Sequence, residues 1–188
     1  DEVGMYNTYY LQELQPSHNT YARLNGSIYE EIAPVKGLTL RAQQSLEAYD
    51  YRYTYLSNPQ AGGPFEGQGS RSEQFSRFYQ FTFTNTAEYK FNVEQNNVAI
   101  LLGQEAILDN YEGIGVSVDG ITDWRTNLLS QGTKTNTPSQ SFSETVYNSY
   151  FARLSYDYNS KYFVDASWRL DGSSLFGKNK RYANFYSI

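Results

Sequence analysis

The sequence predicts an all-β chain whose antiparallel strands run up and down and form part of a large transmembrane β-barrel. Three observations carry this reading. Apolar and polar residues alternate with period two in six segments, the mark of a two-faced strand. The connections between these segments alternate strictly between short and long. Aromatic residues reach 17%, with 19 Tyr and 11 Phe, while hydrophobic residues as a whole are only 39%. A Tyr ring is apolar with a polar tip, so such a composition suits a surface that is greasy at one depth and wet at the next. A membrane interface fits that description, and so does a sugar-binding face.

The segments follow in order. Between Tyr21 and Glu31, Ala22, Leu24, Gly26 and Ile28 share one parity against Arg23, Asn25 and Ser27. After "APVKG", Leu38, Leu40, Ala42, Leu46 and Ala48 oppose Thr39, Arg41, Gln43, Ser45 and Glu47. The third sets Tyr79, Phe81, Phe83, Ala87 and Tyr89 against Gln80, Thr82, Thr84, Glu88 and Lys90. The fourth, from Val98 to about Val116, opens with the apolar run "VAILLG" and alternates less cleanly. The fifth places Tyr150, Ala152, Leu154, Tyr156 and Tyr158 against Phe151, Arg153, Ser155 and Asp157. The sixth places Tyr162, Val164, Ala166, Trp168 and Leu170 against Phe163, Asp165, Ser167, Arg169 and Asp171. A further strand begins near the last residue, and helical periodicity is hard to find anywhere.

Short links fall at 33–37, 91–97 and 159–161, and long Gly/Pro/Ser/Asn-rich stretches at 54–72 and 119–144. Up-and-down barrels of the bacterial outer membrane have tight periplasmic turns, long extracellular loops, and strands that alternate apolar outward with polar inward. A soluble sandwich has no reason to keep that alternation of loop lengths. Aromatic pairs beside the short links (Tyr89 with Phe91, Tyr158 with Tyr162) and the series Tyr49, Tyr51, Tyr53, Tyr55 beside a long one suggest two interfacial belts. Six strands cannot close a membrane barrel, because the smallest single-chain bacterial ones need eight and lipid tolerates no open edge. Residues 1–188 are therefore expected to be a partial barrel, with the remaining strands and any plug elsewhere.

Composition excludes other classes. A net charge of −5 with scattered cations argues against nucleic acid, whose phosphates need clustered Lys and Arg. There is no cysteine, hence neither a disulfide framework nor a thiolate metal site. No apolar run approaches a membrane-spanning helix, and "DEVGMYNTYY" lacks the basic start and apolar stretch of a leader.

The stretch "YFARLSYDYNSKYFVDASWRLDGSSLFGKNKRYANFYS", Tyr150–Ser187, closely resembles the barrel segment of SusC/RagA-type TonB-dependent outer-membrane transporters of Bacteroidetes-like bacteria. Phe151, Arg153, Leu154, Tyr156, Tyr158, Tyr162, Arg169, Asp171, Gly172, Ser173, Ser174, Phe176, Gly177, Asn179 and Arg181 stand at the matching places. "KGLTLRAQ" and "LLGQE" also look like that family, whereas Leu175 and Tyr186 depart from it. The resemblance implies a 22-stranded barrel filled by an N-terminal plug. It also implies energy from the TonB complex, a SusD-like surface lipoprotein as lid, and import of an oligosaccharide or oligopeptide across the outer membrane. No cofactor and no enzymatic activity are implied.

Parity then assigns side chains. Tyr150, Leu154, Tyr156, Val164 and Trp168 are expected to meet lipid. If 159–161 is a three-residue turn, Tyr158 faces Tyr162 and Arg153 lies across from Ser167, within diagonal reach of Asp165 and Arg169. An inward polar network of Arg153, Asp165, Arg169 and Asp171 follows. Read instead as a glycosidase pair, Asp165 and Asp171 would lie roughly 20 Å apart at ~3.3 Å per residue, too far for either mechanism. His18, the only histidine, has no acid or serine constellation near it. "GQGS" and "FGKN" lack the strand–loop–helix context of a phosphate site. Asp109, Glu112, Asp119 and Asp123 do not have calcium-loop spacing and are expected to be solvated, so no metal is assigned. Phe65, Tyr111 and Trp124 are the candidate ligand contacts, since aromatic rings hold sugars or peptide side chains; the alternative is that they cap the barrel rim. Two other functions remain at this point. A secreted all-β carbohydrate-binding module would bury its alternating faces in a self-sufficient domain, and a passive porin would conduct without energy coupling.

Overall fold

The computed structural model of the protein describes residues 8–60, 67–177 and 181–188. A short helix α1 (Thr8–Leu14) leads into β1 (Ser17–Val35), β2 (Leu38–Ser57), β3 (Gly69–Val93) and β4 (Asn96–Ile121). A single 3-10 turn at Leu129–Gln131 and the two-residue β5 (Lys134–Thr135) precede β6 (Ser139–Tyr158), β7 (Tyr162–Ser173) and β8 (Tyr182–Ser187). The strands belong to one sheet in the order β1-β2-β3-β4-β6-β7-β8, with β5 paired to β4. Sequence neighbours are thus sheet neighbours, β5 aside, which is the expected all-β up-and-down arrangement.

Each of the six predicted segments lies inside one long strand, and the strand beginning near the last residue is β8. Two features differ from the sequence reading. Helix α1 is seven residues, too short for periodicity to register. It is followed by a tether to β2, where Leu14 O accepts from Asn58 N at 2.9 Å and Pro16 O from Leu56 N at 3.1 Å. The long connections are also shorter than predicted, 58–68 and 122–138. The strands persist beyond their apolar stretches because alternation continues there in polar form, as in Tyr49–Leu56. At 20, 25, 26 and 20 residues, β2, β3, β4 and β6 are about two to two and a half times the ~9–11 residues that cross a bilayer as a strand.

Tight turns hold the short ends. Lys36–Gly37 joins β1 to β2 with Gly37 at φ 85°, and a Cβ there would lie 2.2 Å from the Lys90 carbonyl oxygen. Glycine is required twice over, by left-handed backbone and by that contact. Glu94–Gln95 joins β3 to β4 with Glu94 at φ 55°, and Asn96 Nδ2 donates to Val93 O at 3.1 Å. The three residues Asn159, Ser160 and Lys161 join β6 to β7 with the first two at φ 52° and 55°. That turn sets Tyr158 opposite Tyr162 and Arg153 opposite Ser167.

The chain falls into two compact units: unit 1 comprises Asp1–Arg23, Tyr49–Phe78 and Tyr111–Phe142, and unit 2 comprises Leu24–Ala48, Tyr79–Asn110 and Ser143–Ile188. Among the described residues the buried apolar side chains are Val118 and Ile121, both in unit 1 at the end of β4. Leu24, Ile28, Ile32, Phe83, Leu102, Leu154 and Trp168 of unit 2 are exposed. A self-sufficient soluble domain would bury one strand face. This sheet does not.

Candidate functional site

In unit 2 the four predicted polar residues share one face, but they form two clusters. Arg153 Nη2 donates to Asp165 Oδ1 at 3.0 Å, and Ser155 Oγ donates to the same oxygen. Both charged side chains of this pair are more than half exposed. Arg169 donates from Nε to Asp171 and from Nη2 to Glu105 Oε1 at 2.9 Å. Among the described residues no ion pair joins the clusters. Glu105 was not anticipated. It lies on β4, two strands from Arg169, so the pair spans roughly 10 Å of sheet. Phe151 of β6 fills the interval: its ring rests on Gly103, where a Cβ would come 2.1 Å from Cζ. The Arg169 guanidinium carbon lies 5.6 Å from that ring centroid. The arrangement holds Arg169 by two carboxylates and an aromatic face. Gln80 Nε2 adds a bond to Asp109 Oδ1 at 2.7 Å, and Asn97 Nδ2 one to Asp157 Oδ1 at 3.0 Å.

The opposite face of unit 2 carries Tyr150, Leu154, Tyr156, Val164 and Trp168, on alternate positions of β6 and β7 in register. Tyr150, Leu154, Val164 and Trp168 are exposed. Their polar tips are satisfied: Tyr156 Oη donates to Asn96 Oδ1 at 2.7 Å, and Trp168 Nε1 to Asn184 Oδ1 at 3.3 Å. This face also carries amides that the apolar pattern did not forecast. Asn85 Nδ2 donates to Gln104 Oε1 at 3.2 Å, Gln104 Nε2 to Asn148 Oδ1 at 2.9 Å, and Asn148 Nδ2 to Tyr150 Oη at 3.3 Å. Chained in this way across β3, β4 and β6, the amides satisfy one another, which lowers the cost of placing them in an apolar setting.

Unit 1 distributes polarity differently. One face carries ion pairs: Arg77 grips Asp50 with two bonds of 2.8 and 2.9 Å, and Glu73 receives Arg52 and Arg71, each at 2.7 Å. The other carries rings: Tyr49 lies between Tyr21 and Phe78, with centroids 5.5 and 5.1 Å away. Tyr51 Oη donates to Asn19 Oδ1 at 2.9 Å. Of the three candidate ligand contacts, Tyr111 belongs to this ring-bearing face, its hydroxyl 3.2 Å from Ser76 Oγ. Trp124 is 55% exposed in the 122–138 connection, where its carbonyl accepts from Asn58 Nδ2 at 3.1 Å. Phe65 lies outside the described residues. Beside Trp124, Arg125 hydrogen-bonds Asp123 through both its side chain and its backbone N–H and draws that carboxyl down to about 2. Asp119 accepts from Asn136 Nδ2 at 3.0 Å. Thus Asp109, Asp119 and Asp123 each have a separate partner.

No family model matches the chain. It is 31% identical over 190 residues to TonB-dependent receptor P39 of Formosa agariphila, covering 94% of this chain and 17% of that protein. Among solved structures, the RagAB peptide transporter superposes with a TM-score of 0.88 at 34% identity, over 95% of this chain and 20% of the other. The siderophore receptor PiuA from Acinetobacter baumannii, at 12% identity and a TM-score of 0.52, shares the fold alone. The chain therefore spans about a fifth of the length of the relatives it matches.

Proposed function

The chain belongs to the SusC/RagA-type TonB-dependent transporters, and from that premise we propose that it forms part of the barrel wall of an outer-membrane importer of bulky nutrients, oligopeptides or oligosaccharides. The observation that carries the proposal is the two-faced sheet of unit 2 with its apolar side chains left exposed. Hydrocarbon is the medium in which such a face is stable. Charges belong on the other side, since a cation facing the bilayer midplane costs about 2–4 kcal/mol. On this reading Arg153, Asp165, Arg169 and Asp171 face the lumen, and Tyr150, Leu154, Tyr156, Val164 and Trp168 face lipid. Strands of this length exceed what the hydrocarbon needs, so on this reading the 122–138 connection of unit 1 carries Trp124 at the rim.

The plug, the segment that engages the TonB complex and the other strands belong, on this reading, to the rest of the longer protein. A SusD-like lipoprotein closes the outer mouth. The role requires no cofactor and no covalent chemistry. The test is uptake of labelled oligopeptides and oligosaccharides by cells with and without the full-length transporter, each with and without TonB. Uptake of one class should need both proteins. Uptake that survives loss of TonB would make the protein a passive porin and sink the proposal.

A further inference from the structure

In β2, β3 and β4 the face of unit 1 opposite its rings carries the formal charges Asp50, Arg52, Arg71, Glu73, Arg77 and Glu112. Three arginines thus meet three carboxylates. The balance is even, but the presentation is not. Arg77 turns Nε and Nη2 onto the two oxygens of Asp50. Arg71 turns the same two atoms onto Glu73 Oε1, and Arg52 Nη2 takes Glu73 Oε2. The side chains of Arg52 and Arg77 are 57% and 53% exposed, against 21% for Glu73 and 41% for Asp50. The carboxylates of both pairs therefore lie beneath guanidinium groups.

The two exposed guanidinium groups are held by one edge and open at another. Among the described residues Arg77 Nη1 and Arg52 Nε and Nη1 make no hydrogen bond. The Arg77 guanidinium carbon also lies 5.4 Å from the Phe75 ring centroid, so a ring and a carboxylate together fix its orientation. Glu112 is different. It lies near enough to Arg77 to act on its charge, yet it hydrogen-bonds to no described residue.

Building on the import reading, we propose that Arg52 and Arg77 form a binding site for the phosphate of an outer-leaflet lipid headgroup. Depth along the strand points to this ligand. The even positions of β2 are apolar up to Ala48, Gln44 apart, and Asp50 and Arg52 follow on the same parity. A strand tilted about 45° climbs roughly 2.3 Å per residue, which sets Asp50 and Arg52 roughly 5 and 9 Å past Ala48. The headgroup region adds roughly 5–8 Å to each side of the hydrocarbon. On the import reading the two arginines therefore stand at phosphate depth, on the side of the sheet that meets lipid. A guanidinium fork matches phosphate oxygens with two parallel hydrogen bonds, and a fork already oriented by its own partners loses little freedom on binding. Glu112 opposes the ligand, since its charge has the sign of the phosphate.

The test is native mass spectrometry of the full-length transporter, stripped of lipid in a nonionic detergent. The probes are lipid A, lipid A freed of its phosphates, and inorganic phosphate. Lipid A should bind at least ~10-fold more tightly than its phosphate-free form. Arg52→Gln combined with Arg77→Gln should weaken lipid A binding about 10-fold or more, and Arg77→Lys, which keeps the charge and loses the fork, about 3-fold. Glu112→Gln should strengthen it about 3-fold by removing a like charge. Ion pairs with a structural role alone would leave lipid affinity unmoved by Glu112→Gln, which breaks no hydrogen bond. Heat-modifiable gel migration reports whether each variant is folded, and Glu112→Gln carries the test if the double variant does not assemble. Equal binding of the two lipids overturns the proposal, as does unchanged binding in a folded double variant or a Glu112→Gln variant that gains nothing. Displacement of lipid A by inorganic phosphate would make this a site for free anions and overturn it as well. Any of these results, with uptake still dependent on TonB, leaves the import reading intact. A full-length transporter that stays in solution without detergent would overturn both.

Discussion

Strand β2 changes character at Ala48. Up to that residue, in unit 2, its even positions are Leu38, Leu40, Ala42, Leu46 and Ala48 with Gln44 as the one polar exception, and its odd positions include Arg41, Gln43 and Ser45, joined by side-chain hydrogen bonds. From Tyr49 on, in unit 1, the even positions Asp50 and Arg52 are ion-paired, and the odd positions are Tyr49, Tyr51, Tyr53 and Tyr55. The backbone is the same extended strand throughout. What changes is the chemistry each parity presents: apolar side chains predominate on the even positions up to Ala48, and ion-paired charges take the same parity from Asp50 on. On the proposed reading, this change of chemistry marks where the strand leaves the hydrocarbon.

The sharpest way to break this comparison is to place a cation on the same parity in each unit. Leu154→Arg in unit 2 should cost about 2–4 kcal/mol, whereas Ile114→Arg in unit 1 should stay within about 0.5 kcal/mol. Urea midpoints of the transporter refolded into lipid vesicles measure both. Equal costs at the two sites would end the assignment of unit 1 to water.

A second test concerns the amide chain on the apolar face. Gln104→Ala strips partners from Asn85 and Asn148 and should cost about 1–3 kcal/mol by the same measurement. Replacing all three amides by Leu should be close to neutral, because no unpaired group is left. A triple variant as unstable as the single one would mean that the amides meet something other than lipid.

The polar face of unit 2 contains a smaller contrast. Glu105→Ala removes one of two carboxylates from the half-buried Arg169 and should cost about 1–2 kcal/mol. Asp165→Ala removes the partner of an exposed arginine and should leave the midpoint unchanged. A shift at Asp165 matching that at Glu105 would show one continuous network after all.

The smallest effect lies in the 122–138 connection of unit 1. The hydrogen bonds from Arg125 hold the Asp123 pKa down at about 2, below the usual carboxylate range, so the Asp123–Arg125 contact is fully present above about pH 4 and is lost as pH falls through about 2. The difference in tryptophan emission between the transporter and its Trp124→Phe variant should hold steady from neutral pH to near pH 3. Adding Arg125→Ala should move its onset up toward 3.8. An onset independent of Arg125 would contradict the assigned cause.

The fold was legible in the sequence to the extent that alternation is a local property. Period two follows from the pleat, so the six segments and the two faces of β6 and β7 could be assigned from residue type alone. The turn Asn159–Lys161 extended that to register, and with it the Arg153–Asp165 pair. The helix α1 and the continuation of strands into polar stretches were not legible, the first because seven residues carry too little periodicity. The second was hidden because Tyr and Ser alternating with charge resembles a loop by composition.

What the sequence by itself determined is therefore the all-β class, the parity of each strand, the resemblance that names the family, and the nearest-neighbour partners across one tight turn. Only the tertiary structure decided that Arg169 reaches Glu105, that Phe151 seats on Gly103, that three amides chain across β3, β4 and β6, and that Tyr49 is enclosed by Tyr21 and Phe78. Those contacts join strands 19 to 64 residues apart along the chain. Their existence depends on strand order and on register summed over several hairpins. A shift of one residue in any hairpin turns every side chain of the next strand to the other face.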